Sequence, residues 1–254
     1  MIKHSPRRQH GFTLVELSIV MIIIGLLIGG ILKGQQLIEN SRINATISQV
    51  KAFQAATNTF RDSYGGLPGD IFSAPAMLPN CNAGTFCVGG NGNLKIGATI
   101  NYYEDPSGDN ENTQFWKHLA LADLLGGITP GAAPSAPEWG KTHPSAPLLG
   151  GFLIEHAVGA GDAWSPSMNR AERNWFKMRQ NVTGNDAGGH GEHPITPRVG
   201  KIIDTRIDDG MPGYGVVQAH DTGPTNDAGC EGPTPYDESF TSGNCIMFFL
   251  LETK

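Results

Sequence analysis

The sequence predicts an α+β chain: a long N-terminal α-helix, apolar in its first half and amphipathic in its second, packed on a loop-rich head with a small antiparallel β-sheet. Three observations predict it. Residues 12–32 (FTLVELSIVMIIIGLLIGGIL) form a run of 21 whose only charge is Glu16. Apolar residues then recur at Ile43, Ile47, Val50, Phe53, Ala56 and Phe60, steps of three and four that place them on one helical face. The 34 glycines and 17 prolines of the 254-residue chain favour loops and short elements over a helical bundle. Such a length suits one main globular domain with additional elements.

Residues 1–11 form a basic leader, with Lys3, Arg7 and Arg8 and no acid. The apolar run behind it, taken as residues 12–33, is long enough to cross a bilayer as a helix at about 1.5 Å per residue. With the basic flank on the cytoplasmic side, everything after Lys33 faces outward. An ordinary signal peptide has a shorter apolar region of about 7–15 residues, although Gly29-Gly30 resembles a small-residue cleavage site. A soluble core helix fits worse, because the run exceeds about 18 residues and adjoins a basic cluster.

Glu16 separates a plain anchor from something more specific. An ionised carboxylate inside an apolar span costs on the order of 3 kcal/mol to insert, so it calls for a partner. Cleavage between Gly11 and Phe12 would create one: a free α-amine at Phe12, able to pair with Glu16 of a neighbouring copy.

The string Gly11-Phe12-Thr13-Leu14-Val15-Glu16, followed by the apolar run, resembles the processing signal of type IV prepilins and type II secretion pseudopilins. The close resemblance covers roughly residues 7–70, about a quarter of the chain. It implies a pilin-like fold, cleavage after Gly11 by a prepilin peptidase, N-methylation of Phe12, and Glu16 as the assembly carboxylate. It further implies lipid as the surroundings before assembly, an inner-membrane assembly platform, and homologous subunits in a helical filament in the periplasm or at the cell surface. Many pilins carry a proline in mid-helix; here Gly25, Gly29, Gly30 and Gly34 stand instead, able to loosen the helix or to allow close packing between helices.

Residues 34–64 continue the helix in amphipathic form until Tyr64-Gly65-Gly66-Leu67-Pro68-Gly69-Asp70 ends it. In the head, residues 65–254, the stretch 71–110 reads as turns. A second helix is expected over 115–125, opened by Thr113 and stopped by Gly126-Gly127. Residues 129–147 read as an exposed loop, 151–157 as a strand, and 167–180 as a short helix or a loop with buried Trp175 and Phe176. A helical pattern spans 199–207, and strands are expected over 213–219 and 245–251.

The four cysteines, Cys81, Cys87, Cys230 and Cys245, lack metal-type spacing and suit disulfides in an oxidising compartment. Of three possible pairings, Cys81–Cys87 and Cys230–Cys245 each close a short loop, and the second resembles the disulfide-bounded C-terminal loop of many pilins. Asp204, Asp208, Asp209 and Gly210 resemble a stretch near the end of some pilin-like proteins in which carboxylates bind calcium. A solvated helix end and turn explains the same residues without a cation, and the acidic loop 105–111 is equally ambiguous.

His190-Gly-Glu-His193 lacks the HExxH order, and His118 and His156 read as packing or surface residues. No GxSxG, Walker A loop or GxGxxG occurs. Without residues 1–11 the chain has 15 basic and 24 acidic residues, a net −9, which argues against nucleic-acid binding. The sequence therefore predicts a non-enzymatic fibre subunit without a cofactor, calcium being the one candidate. Its large head points to a minor or specialised subunit. The rivals are a type II secretion pseudopilin and a monomeric membrane-anchored periplasmic binding protein.

Overall fold

The structure, a computed structural model, describes residues 13–97, 111–157, 173–182, 195–220, 229–230, 235–241 and 245–251. The chain divides into two compact units, Met1–Arg42 and Ile43–Lys254. Helix α1, Leu14–Tyr64, contributes to both.

In the first unit the described residues are helical from Leu14 onward, and the large apolar side chains there are exposed, from 44% for Ile24 to 86% for Leu14. This is the one helix among the described residues long and apolar enough to cross a membrane. A Cβ added at Gly25, Gly29, Gly30 or Gly34 would meet nothing within 4 Å.

In the second unit α1 reverses its character. Ile43, Ile47, Val50, Phe53, Ala56 and Phe60 are all buried, as their spacing predicts, together with Thr46 and Thr57. Phe53 is the hub: its ring centroid lies 5.0 Å from Trp116, 5.2 Å from Phe152 and 5.6 Å from Phe176, mostly edge to face, the arrangement that aromatic quadrupoles prefer. Gln54 Nε2 donates to the Leu250 carbonyl at 3.0 Å, and Gln49 Nε2 to the Ser145 carbonyl at 2.8 Å.

The head sheet is antiparallel throughout, with strand order β1-β2-β4-β3. The strands are β1 (Gly151–His156), β2 (Asn174–Arg179), β3 (Val217–His220) and β4 (Ile246–Leu250). One face, with Phe152, Ile154, Phe176, Met178, Val217, Ala219, Met247 and Phe249, joins the main core against α1. The opposite face is also buried, and there Trp175, Ile246, Phe248 and Leu250 form a second cluster with Ala157. A strand covered on both faces reads as a continuous apolar run rather than an alternation. In 174–179, expected as part of a helix or a loop, Asn174, Lys177 and Arg179 interrupt such a run, yet the segment is a strand buried along its length, with Trp175 and Phe176 inside as expected.

The remaining elements are α2 (Ala74–Met77), a 3-10 turn at Ala83–Thr85, α3 (Glu111–Leu121) and α4 (Pro197–Ile207). Helix α3 begins and ends four residues earlier than the sequence suggested. Its stop is Asp123, not the following glycines: at φ 56 it lets Leu124 N–H reach the Leu119 carbonyl (3.0 Å) while its own N–H reaches Ala120 (3.1 Å). This is the paired closure that usually needs glycine. Gly69, at φ +81, lies where the chain after α1 runs against the backbone of Phe115, and only glycine fits there. Within the loop 129–147, expected to be exposed, Thr142, His143 and Pro144 are buried instead. Strand β3 starts at Val217, later than expected, and α4 starts at Pro197, capped by Thr196, whose side chain accepts from Val199 N–H at 3.4 Å.

Candidate assembly site

The start of α1 is closed by its own side chains. Thr13 stands just before the first helical residue, where backbone N–H groups have no partner within the helix. Its Oγ accepts the Glu16 N–H at 3.2 Å, and Glu16 Oε2 reaches back to accept the Thr13 N–H at 2.8 Å and the Thr13 hydroxyl at 2.9 Å. This reciprocal pair is a capping box. The T-x-x-E spacing that signals it stands in the sequence, so Glu16 has a hydrogen-bonding partner within its own chain, three residues away. Gly11 and Phe12 lie outside the described residues.

The acidic trio is brought together at the end of α4, with one oxygen of each of Asp204, Asp208 and Asp209 within 4.8 Å of the others. Its described bonds hold the turn. Asp204 Oδ1 accepts from Gly210 N–H at 3.1 Å and Oδ2 from the Tyr236 hydroxyl at 2.9 Å. Asp208 Oδ2 accepts from the amides of Val216 and Val217, and Asp209 Oδ1 from Met211 at 2.8 Å. Burial pushes the Asp204 carboxyl up to about 7, partly opposed by those two donors, and burial also raises Tyr236. A calcium ion takes about six to eight oxygen ligands. Here both oxygens of the innermost carboxylate already serve protein donors, so a cation would have to compete with the turn itself. Tyr236, the link between this turn and the Cys230–Cys245 loop, is not legible in the sequence, because it stands 32 positions from Asp204.

The cysteines are joined as Cys81–Cys87 and Cys230–Cys245. His118 lies close to the first pair, but sulfurs in a disulfide are not thiolate ligands. Its ring pins three segments instead: Nδ1 accepts from Gly69 N–H at 2.8 Å, and Nε2 lies 2.9 Å from the Val88 carbonyl. Burial lowers its pKa to about 4, which keeps the ring neutral and able to do both. Beside it Lys117 Nζ, buried, donates to the carbonyls of Thr85, Pro130 and Ala132 at 2.6, 3.0 and 3.1 Å. His156 Nδ1 lies 3.0 Å from Asn174 Oδ1 on the neighbouring strand. Of the acidic loop 105–111 only Glu111 is described; it opens α3 and accepts the amides of Asn91 and Gly97. His190 and His193 lie outside the described residues.

Against known proteins, residues 6–32 match the family model of the prokaryotic N-terminal methylation motif. No curated protein and no solved structure matches the chain. The motif implies processing by a prepilin peptidase and assembly with other pilin-type subunits. An exposed apolar helix behind this motif is consistent with a membrane-anchored protein. The chain carries at its N terminus the methylation motif that is the hallmark of type IV pilin and pseudopilin precursors, and this motif supports a precursor of that pilin-like kind.

Proposed function

We propose that the protein is a non-enzymatic structural subunit, minor or specialised, of a type IV pilus or pseudopilus. It is inserted in the inner membrane, cut after Gly11, methylated at Phe12, and drawn by the assembly platform into a helical fibre through α1. The observation that carries this reading is a methylation motif leading directly into a helix whose large apolar side chains are uncovered from Leu14 to Ile38. Lipid covers that surface before assembly and neighbouring helices cover it afterwards, so extraction from the membrane exchanges one apolar environment for another. Glu16 sets the axial register by pairing with the Phe12 amine of an adjacent copy. The second half of α1 needs no such partner, since the head buries it.

Replacing Glu16 with alanine tests the reading in the native host. A fibre subunit is still cut but fails to enter fibres. A monomeric anchored protein is indifferent to the change, and normal behaviour of the variant would overturn assembly through Glu16.

A further inference from the structure

The short loop between Cys81 and Cys87 is held shut by groups other than its sulfurs. Asn82 caps the 3-10 turn Ala83–Thr85: its Oδ1 accepts the Gly84 N–H at 2.8 Å, and Thr85 Oγ accepts the Asn82 N–H at 3.1 Å. The Thr85 hydroxyl donates to the Asn80 carbonyl at 2.8 Å, and the Cys87 N–H closes the ring on the Asn82 carbonyl at 3.2 Å. Helix α3 grips the loop from outside. Lys117 Nζ donates to the Thr85 carbonyl at 2.6 Å, Gln114 Nε2 donates to the Phe86 carbonyl at 2.9 Å, and Gln114 Oε1 accepts the Val88 N–H at 3.2 Å. Between these anchors Phe86 stands at φ 51, a left-handed conformation that a bulky residue adopts only when its surroundings impose it.

None of these bonds involves a sulfur, so the same geometry is open to the reduced chain. We propose that Cys81–Cys87 is a self-closing bridge: the folded loop brings the two thiols together, and they pair in the folded head with a small-molecule disulfide as oxidant and no protein catalyst. With oxidised glutathione, the thiolate of one cysteine attacks a glutathione sulfur and expels one glutathione thiolate. The thiolate of the other cysteine then attacks the mixed disulfide and expels the second. The two protein sulfurs lose two electrons, the glutathione disulfide gains them, and the two thiol protons end on the two glutathiones. Linkage is reciprocal: bonds that favour the closed loop favour the bridge by the same factor. A flexible linker offers its ends to each other at a millimolar effective concentration, whereas groups fixed near their bonded geometry meet at a far higher one. His118 is not the base for this step. One of its ring nitrogens lies within 4.8 Å of both sulfurs, but Nδ1 accepts the Gly69 N–H and Nε2 faces the Val88 carbonyl.

The test uses the full-length chain in detergent, reduced and then equilibrated in glutathione buffers of graded ratio, with thiol alkylation and peptide mass spectrometry reading the two bridges separately. In the parent, Cys81–Cys87 should re-form without an added oxidoreductase, at an effective concentration that drops about tenfold or more when the chain is unfolded in urea. Asn82 is exposed and Thr85 half-buried, so Asn82→Ala and Thr85→Val reach the loop without opening the core. Each should lower the folded value about fivefold, and leave both the urea value and the Cys230–Cys245 equilibrium as in the parent. A folded parent that stays reduced at this pair, or that gives the same value in urea, overturns the proposal. Variants that match the parent overturn it too, and so does an equal shift at Cys230–Cys245, which would mark a general loosening of the head.

Discussion

The two halves of α1 have the same backbone and opposite surfaces. Before Arg42 the helix presents Leu14, Leu26 and Ile31 uncovered; after Ile43 it buries Phe53 and Phe60 almost completely. In the second half apolar residues are confined to one stripe, and the aromatic side chains of α3, β1 and β2 answer it ring by ring. In the first half apolar residues lie all round the helix, which no single packed face within the chain could cover. The difference teaches that the chain's own head covers one half of α1 and leaves the other half uncovered, the surface that the proposed function assigns to lipid and to other helices.

This contrast breaks most visibly at Phe53. Truncation to alanine removes a ring buried among Trp116, Phe152 and Phe176, and should lower head stability by about 3–5 kcal/mol, read by chemical denaturation in detergent. Ile23→Ala in the exposed half should leave that midpoint unchanged. Equal losses at the two positions would abolish the distinction. Next in size, opening the Cys230–Cys245 loop, which spans 15 residues, by paired substitution to serine should cost about 3 kcal/mol in the chain-entropy model. The same change at Cys81 and Cys87 should cost less, because the loop there is shorter.

A pH titration sharpens the picture of the α4 turn. Burial raises the Asp204 carboxyl from the ordinary carboxylate range to about 7, so the folded state holds its proton more tightly than the unfolded state. Its contribution to stability is therefore fully present below about pH 4, falls as pH rises through 7, and is flat above that. His118, lowered to about 4, and His143, lowered to about 3, both by burial, act in the opposite sense: stability rises with pH up to the ordinary histidine range near 6.5. The Asp204 share is isolated by comparison with Asp204→Asn, whose advantage over the parent should grow between pH 4 and 7. An advantage independent of pH would contradict the raised carboxyl. Millimolar calcium added at pH 8 should leave the parent midpoint unchanged if the turn is held by its own amides. A rise of several degrees would assign the three carboxylates to a cation. The smallest effect is expected at the exposed Lys141–Glu138 pair, where Lys141→Ala should alter stability by less than about 1 kcal/mol.

The legible parts of the sequence were those in which one periodicity dominated. The apolar run, the three-and-four spacing from Ile43 to Phe60 and the Gly-Pro stop after Tyr64 together gave α1 almost to the residue. Strand β2 was obscure because Asn174 to Arg179 is buried on both faces, with Lys177 and Arg179 inside, so neither alternation nor apolarity marked it. The end of α3 was misplaced because an aspartate occupies the left-handed position that glycine normally signals. His143 and Thr142 lie buried in a proline- and glycine-rich loop, a case of tertiary packing that composition does not announce. At the assembly end, Glu16 stands out by its cost in an apolar run, and Thr13 stands in the same motif, its capping of the helix carried by the T-x-x-E spacing.

The most direct test of the central claim, that α1 belongs to a processed fibre subunit, is intact and N-terminal peptide mass spectrometry on protein from the native host. The account predicts a mature chain beginning at Phe12 and carrying one added methyl group. A chain beginning at Met1, or just after Gly29 or Gly30, would contradict it and return the protein to the class of anchored or secreted domains.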